Sequence, residues 1–125
     1  MTNREIIIKK YIASYNSFDI TNMVADFDDN IIFENIQNGV TNMSLVGLTA
    51  VKQQAEQAKA YFSERTQTIK SFNHIHNRSE IEIGYRAVLA MDFPNGLKKG
   101  QELNLSGKSI FEFDGDKITR LTDIS

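Results

Sequence analysis

The chain has 125 residues, 41% of them hydrophobic, a formal charge of −2 at pH 7 and no cysteine. That length fits one domain able to bury a core without cross-links, and the lack of thiols excludes a disulfide framework, a thiolate nucleophile and cysteine-ligated zinc or iron–sulfur centres. Charges of both signs are interspersed, with nothing larger than pairs such as Lys98-Lys99, so the basic footprint of a nucleic-acid binder is missing; no apolar run approaches the roughly 18 residues of a membrane helix.

At the amino terminus Ile6-Ile7-Ile8 runs straight into Lys9-Lys10, too short an apolar stretch for a secretory signal, so the expected compartment is cytoplasmic. Thr2 and Glu5 have the spacing of a capping box. The helix it opens carries Ile8, Tyr11, Ile12 and Tyr15 on one face, with Lys9, Lys10 and Ser14 off it. Asp19 is placed to cap a short second helix whose apolar side is Met23, Val24 and Phe27, and Asp28-Asp29-Asn30 ends it. Ile31 to Ile36 reads as a strand, with Phe33 and Asn35 on one face and Ile32 and Glu34 on the other. Asn38-Gly39 turns the chain into a loop that ends at Gly47. A third helix follows, with Val51, Ala55, Ala58 and Phe62 as its apolar stripe and Lys52, Gln53, Glu56 and Lys59 facing water.

The second half is extended. Thr66 to Asn77 alternates loosely, and Ile81, Ile83, Tyr85, Ala87, Leu89 and Met91 alternate strictly with their neighbours. Leu103, Leu105, Ser109, Phe111 and Phe113 share a face of the next strand. Asp114-Gly115-Asp116 is a hairpin signal, and Lys117 to Ile124 is the last strand, with Asp123 in phase with Thr119 and Leu121. Helices gathered ahead of consecutive strands predict an α+β fold over residues 1–125. Three helices cover one face of a curved, mostly antiparallel sheet, wrapped as a cone around a pocket.

The element order, together with Tyr11-Ile-Ala-Ser-Tyr-Asn-Ser-Phe-Asp19, Met23-Val-Ala-Asp-Phe-Asp-Asp29, Ile32-Phe-Glu-Asn35, Gly39, Gly47 and Phe111-Glu-Phe-Asp-Gly-Asp-Lys-Ile118, resembles the SnoaL-like branch of the nuclear transport factor 2-like superfamily. That superfamily holds ketosteroid isomerases, epoxide hydrolases, polyketide cyclases, dehydratases and non-enzymatic binders, and fold alone does not choose among them. The resemblance to the isomerases places Tyr11 at their first-helix tyrosine, Asn35 at their aspartate base and Ser109 at their protonated acid. An amide takes up no proton at neutral pH, and a serine is a weaker donor to a developing enolate. Two of the three isomerase positions are therefore chemically changed. The Asp-Arg-Asp set of similar epoxide hydrolases has no clear counterpart. The resemblance also implies a homodimer through the convex sheet face, where alternation puts Arg86, Lys108 and Glu112 with Phe72, Val88 and Ile110.

Among residues that carry chemistry, Asp123 is either a cavity carboxylate with a raised pKa, fit for acid–base work, or a solvated aspartate on a frayed last strand. His74 and His76 share a strand face; either His74 offers the pocket a general base, or both are exposed strand histidines. With no cysteine and no evident third ligand, neither a metal nor a cofactor is expected, and no phosphate-cradling glycine loop or dinucleotide fingerprint occurs. Tyr11 and Tyr15 either bond a ligand oxygen or pack as core-edge aromatics. Asn35, in phase with Phe33, needs a polar cavity or a structural hydrogen bond. Phe33, Phe62, Tyr85, Phe111 and Leu121, with Ser109, are read as pocket wall or core. The expected partner is a small apolar or aromatic metabolite. The expected chemistry is cofactor-independent isomerisation, hydration, dehydration or cyclisation by Asp123 or His74, the alternative being a non-catalytic ligand-binding or protein-interaction module.

Overall fold

Two helices, a hairpin and a third helix lead into four long strands, and all the strands join one sheet. The computed structural model describes residues 3–125; the capping box falls on Thr2, outside that range. The elements are α1 (Asn3–Asn16), α2 (Ile20–Met23), β1 (Phe27–Gln37), β2 (Val40–Val46), α3 (Leu48–Lys59), β3 (Phe62–Ile75), β4 (Arg78–Leu89), β5 (Glu102–Asp114) and β6 (Lys117–Ile124). The sheet order is β2-β1-β6-β5-β4-β3. Every neighbouring pair is antiparallel except β1 and β6, which run parallel. The last strand thus slots between the first strand and β5, and brings residues from opposite ends of the chain into one row.

The helices lie on the concave side. Helix α1 packs across β3, and α3 packs on β1 and β2. Asp19 caps α2, its carboxylate accepting from the Asn22 amide at 3.2 Å. The core joins Ile8, Tyr11 and Ile12 of α1 to Ile31, Ile81, Phe111, Ile118 and Leu121 of the sheet. Ser14, expected off the buried face of α1, is itself buried.

The segment from Gly39 to Gly47 is not a loop but strand β2. Asn38 (φ 52°) and Gly39 (φ 78°) both take left-handed backbone, the geometry of a tight hairpin turn. Thr41, Asn42 and Ser44 make this stretch look like loop, yet an edge strand with one face in water suits them, while Met43 and Leu45 turn inward.

Two bulges reset which residues face the interior. In β3 the register shifts between Ile69 and Ser71, so Arg65, Gln67 and Ile69 face inward before it and Phe72 and His74 after it. Phe72 therefore packs against the core, not on the convex face where uninterrupted alternation puts it. Between β5 and β6 the register shifts at Glu112/Phe113 and leaves Thr119 unpaired. Ile118, wholly buried, and not Thr119, joins Leu121 inside, and the Thr119 hydroxyl donates to the Glu112 carbonyl at 3.2 Å.

The register aligns inward side chains in rows. One row is Met43, Asn35, Asp123, Ser109, Ile81 and Phe72, and the next is Leu45, Phe33, Leu121, Phe111, Ser79 and His74. The convex face carries two charged clusters, Arg86 with Glu64 and Glu102, and Arg120 with Glu34 and Glu112.

Candidate functional site

A cavity of about 390 Å³ lies between the helices and the β2-β1-β6 end of the sheet. Its wall is mostly apolar: Phe27, Phe33 and Leu121, Met43 and Leu45 of β2, Val51, Ala55 and Ala58 of α3, and Phe62. Into it reach Tyr11, Tyr15, Asn35, Asn42, Gln54, Arg65 and Asp123.

Asp123 is the one carboxylate among the lining residues. It borders the cavity, which accounts for its partial exposure, and is otherwise enclosed by protein. Loss of water raises its pKa to about 6, against the opposing effect of the Ser109 hydroxyl. That hydroxyl donates to Asp123 Oδ1 at 2.7 Å from the paired position on β5. Ser109 is 1% exposed, so it braces the carboxylate from behind and has no surface to offer a ligand.

On the other flank of Asp123, Asn35 Nδ2 donates to Asn42 Oδ1 at 2.8 Å, and Asn42 Nδ2 donates to Gln37 Oε1 at 3.2 Å. Asn35 is thus held by an amide relay to β2 while still bordering the cavity.

Facing these from α1 are the tyrosines. The Tyr15 and Tyr85 hydroxyls are hydrogen-bonded at 3.0 Å, and either can be the donor. Burial raises the pKa of Tyr11, Tyr15 and Tyr85, with the Asp123 charge acting in the same sense. All three stay protonated and able to donate. The Tyr11 ring stacks on Phe27 and meets Phe111 edge-on, at centroid distances of 5.8 and 5.6 Å. Phe111 is fully buried beneath it. Tyr85 meets the cavity through Tyr15 and does not line it.

Arg65 was hidden by a strand expected to begin at Thr66; the alternation Arg65, Gln67, Ile69 is the signal that points inward. Its Nε donates to the Tyr15 carbonyl at 2.9 Å, and its guanidinium lies 3.8 Å from the Tyr15 ring centroid and 4.4 Å from that of Phe18. Phe18 holds left-handed backbone (φ 60°) where α1 ends. Asn16 clips the same helix end to β3, accepting from the Gln67 amide at 2.7 Å and donating to its carbonyl at 3.1 Å.

His74 does not reach the cavity. Its Nδ1 pairs with Ser79 Oγ at 2.6 Å and its Nε2 with Glu5 Oε2 at 3.1 Å, and its ring stacks on Phe72. It lies under the first turn of α1, at the far end of β3 from Arg65, because that strand spans 14 residues. His76 sits in the following turn with φ 54°. Of the residues singled out from sequence, Tyr11, Tyr15, Phe33, Asn35, Phe62, Leu121 and Asp123 therefore line the cavity, while His74, Tyr85, Ser109 and Phe111 do not. Among the described residues no cluster of three His, Asp or Glu side chains is placed to hold a metal ion, and no helix is long and apolar enough to cross a membrane.

No protein-family model matches the chain, and no curated protein matches it in sequence. Solved structures do. An NTF2-like protein of unknown function from Burkholderia pseudomallei superposes with a TM-score of 0.78 at 12% identity, over 98% of this chain and 90% of that one. The chain has the nuclear transport factor 2-like fold. Two further structures with this fold are a protein from Xanthomonas campestris pv. campestris provisionally described as a polyketide cyclase (TM-score 0.78, 19% identity, 99% and 93% coverage) and an LEH-like epoxide hydrolase from M. tuberculosis (TM-score 0.77, 12% identity, 98% and 81% coverage). At these identities the likeness concerns architecture. The nuclear transport factor 2-like cone is hollow in this chain, and what fills it depends on its own side chains.

Proposed function

We propose that this protein takes a small hydrophobic metabolite into its cone and moves a proton on it without a cofactor, with Asp123 as the acid or base and Tyr11 and Tyr15 as donors to a ligand oxygen. The observation that carries this reading is a carboxylate in an apolar cavity with a pKa near 6. Such a group is half-ionised close to neutrality, where a proton is exchanged with least driving force in either direction. The cyclase and hydrolase descriptions of proteins sharing the fold lend support of a general kind. Isomerisation, hydration, dehydration and cyclisation all fit this machinery. The proposal includes a single domain, a cytoplasmic location and a homodimer joined through the convex face.

A thermal-shift screen of sterols, polyketides, terpenoids and fatty-acid derivatives, followed by NMR of the hits for turnover, tests it. Asp123→Asn should bind the same hits and lose turnover by at least about 100-fold. Wild-type turnover should rise as pH passes about 6 if Asp123 is the base, and fall if it is the acid. Turnover unchanged in Asp123→Asn would remove the assignment. A second reading, a non-catalytic binder, is favoured by the amide at Asn35, which leaves the cavity without a second carboxylate; it predicts hits that bind and none that turns over.

A further inference from the structure

One cavity residue has a charge that the fold does not answer. Arg65 is 4% exposed, and its Nη2 has no hydrogen-bond partner. Its held contacts are the Tyr15 carbonyl, through Nε, and the faces of Tyr15 and Phe18. The carbonyl end of α1 and two aromatic faces offset part of a positive charge. They do not replace a carboxylate, and a buried guanidinium without one is a costly arrangement. Among the described residues no ion pair joins Arg65 to any acidic side chain; Asp123, in the same cavity, is bonded to Ser109.

Resting on the reading of the cavity as a hydrophobic-metabolite site, we propose that Arg65 is the anchor for a ligand carboxylate, so that the cone takes apolar acids, the acid group on the part of the Arg65 guanidinium that lines the cavity and the hydrocarbon body against Phe33, Phe62 and Leu121. Three features favour a monocarboxylate over other oxygen groups. A neutral carbonyl would fill the hydrogen bond and leave the charge unanswered. A phosphate would bring up to two negative charges against the one cationic side chain among the lining residues. One carboxylate matches one guanidinium in charge and in geometry.

The occupant that competes with this is a water. Gln67 Oε1 is also buried without a partner, and Gln67 and Arg65, two residues apart on β3, project from the same face. A water held by both would satisfy them with no ligand involved.

Isothermal titration of the full chain with cinnamate, phenylacetate and octanoate, each against its primary amide, separates the two. The expected result is acid binding at least about tenfold tighter than amide binding in the wild type, the contribution of a charge-assisted hydrogen bond. In Arg65→Gln that preference should vanish, acids and amides then binding within about threefold of each other. Acids and amides binding alike to the wild type would overturn the role of Arg65 and leave the apolar cavity standing. Failure of every acid and amide to bind would overturn both. An acid preference that persists in folded Arg65→Gln would overturn the role of Arg65; where that chain does not fold, Arg65→Lys, which keeps the charge and loses the planar fork, should show a reduced preference, and an undiminished one would overturn it equally.

Discussion

Asp123 carries opposing demands. Ser109 stabilises its ionised form, and the cavity destabilises it more strongly, which is why the pKa settles near 6 and not near the model-peptide value of 3.8. A carboxyl that binds its proton more tightly in the folded than in the unfolded chain contributes stability only while protonated. The Asp123 contribution to stability should be greatest below about pH 4, fall as pH rises toward 6, and level off above it. The difference is at most about 3 kcal/mol, from roughly two pKa units at 1.36 kcal/mol each. Asp123→Asn removes that ionisation and keeps an acceptor for Ser109. It should therefore raise the melting temperature at pH 8 and raise it by only about a third as much at pH 4.5. Equal shifts at the two pH values, measured by thermal unfolding, would show that the Asp123 carboxylate is well solvated.

At the level of elements, the site depends on how β6 is inserted. Its parallel pairing with β1 and antiparallel pairing with β5 set Asn35, Asp123 and Ser109 side by side. The close approach that allows this is at Gly107, where an added Cβ would lie 2.7 Å from the Ile124 carbonyl oxygen. That neighbour is backbone and cannot swing aside, so Gly107→Ala must push the end of β6 away from β5. The expected cost is about 1–3 kcal/mol, as for other overpacked positions, with weaker ligand binding because Ile124 adjoins Asp123. Chemical denaturation and ligand titration of this variant check both. Wild-type stability would show that β6 shifts freely at its end. The long β3 has the opposite consequence, since its length and its bulge carry His74 to Glu5 and Ser79 under the start of α1, away from the cavity that Arg65 lines.

For the whole molecule, concave and convex faces divide the labour. The concave side holds the core and the cavity. On the convex side Val88 and Ile110 are half-buried, between clusters in which Arg86 and Arg120 already have carboxylate partners within the chain. Exposed pairs of this kind add little to stability, which leaves that face free for association. The proposed homodimer should scatter light as twice 14.2 kDa at micromolar concentration, and Ile110→Asp should halve the mass. A wild-type chain that scatters as a monomer would end the dimer proposal without touching the cavity.

Local periodicity in the sequence determined that there are three helices, the strict alternation of β4 and the shared phase of Phe33 with Asn35 and of Leu121 with Asp123, while the resemblance implied that the Asp123 face turns inward; Phe27 and Phe62, read as helical, open β1 and β3 instead, and Asp28, Asp29 and Asn30 lie in β1. The helices and the shared phases follow from the 3.6 and 2.0 repeats of neighbouring side chains, a property each segment carries by itself. Only the tertiary structure decided that β2 is a strand, that bulges turn Phe72 inward and Thr119 out of phase, and that Arg65 reaches the cavity while His74 does not. Those outcomes depend on strand register and on what covers each face. Both are set by partners distant in sequence: β1 bonds to β6 across some ninety residues, and no window along the chain contains them both.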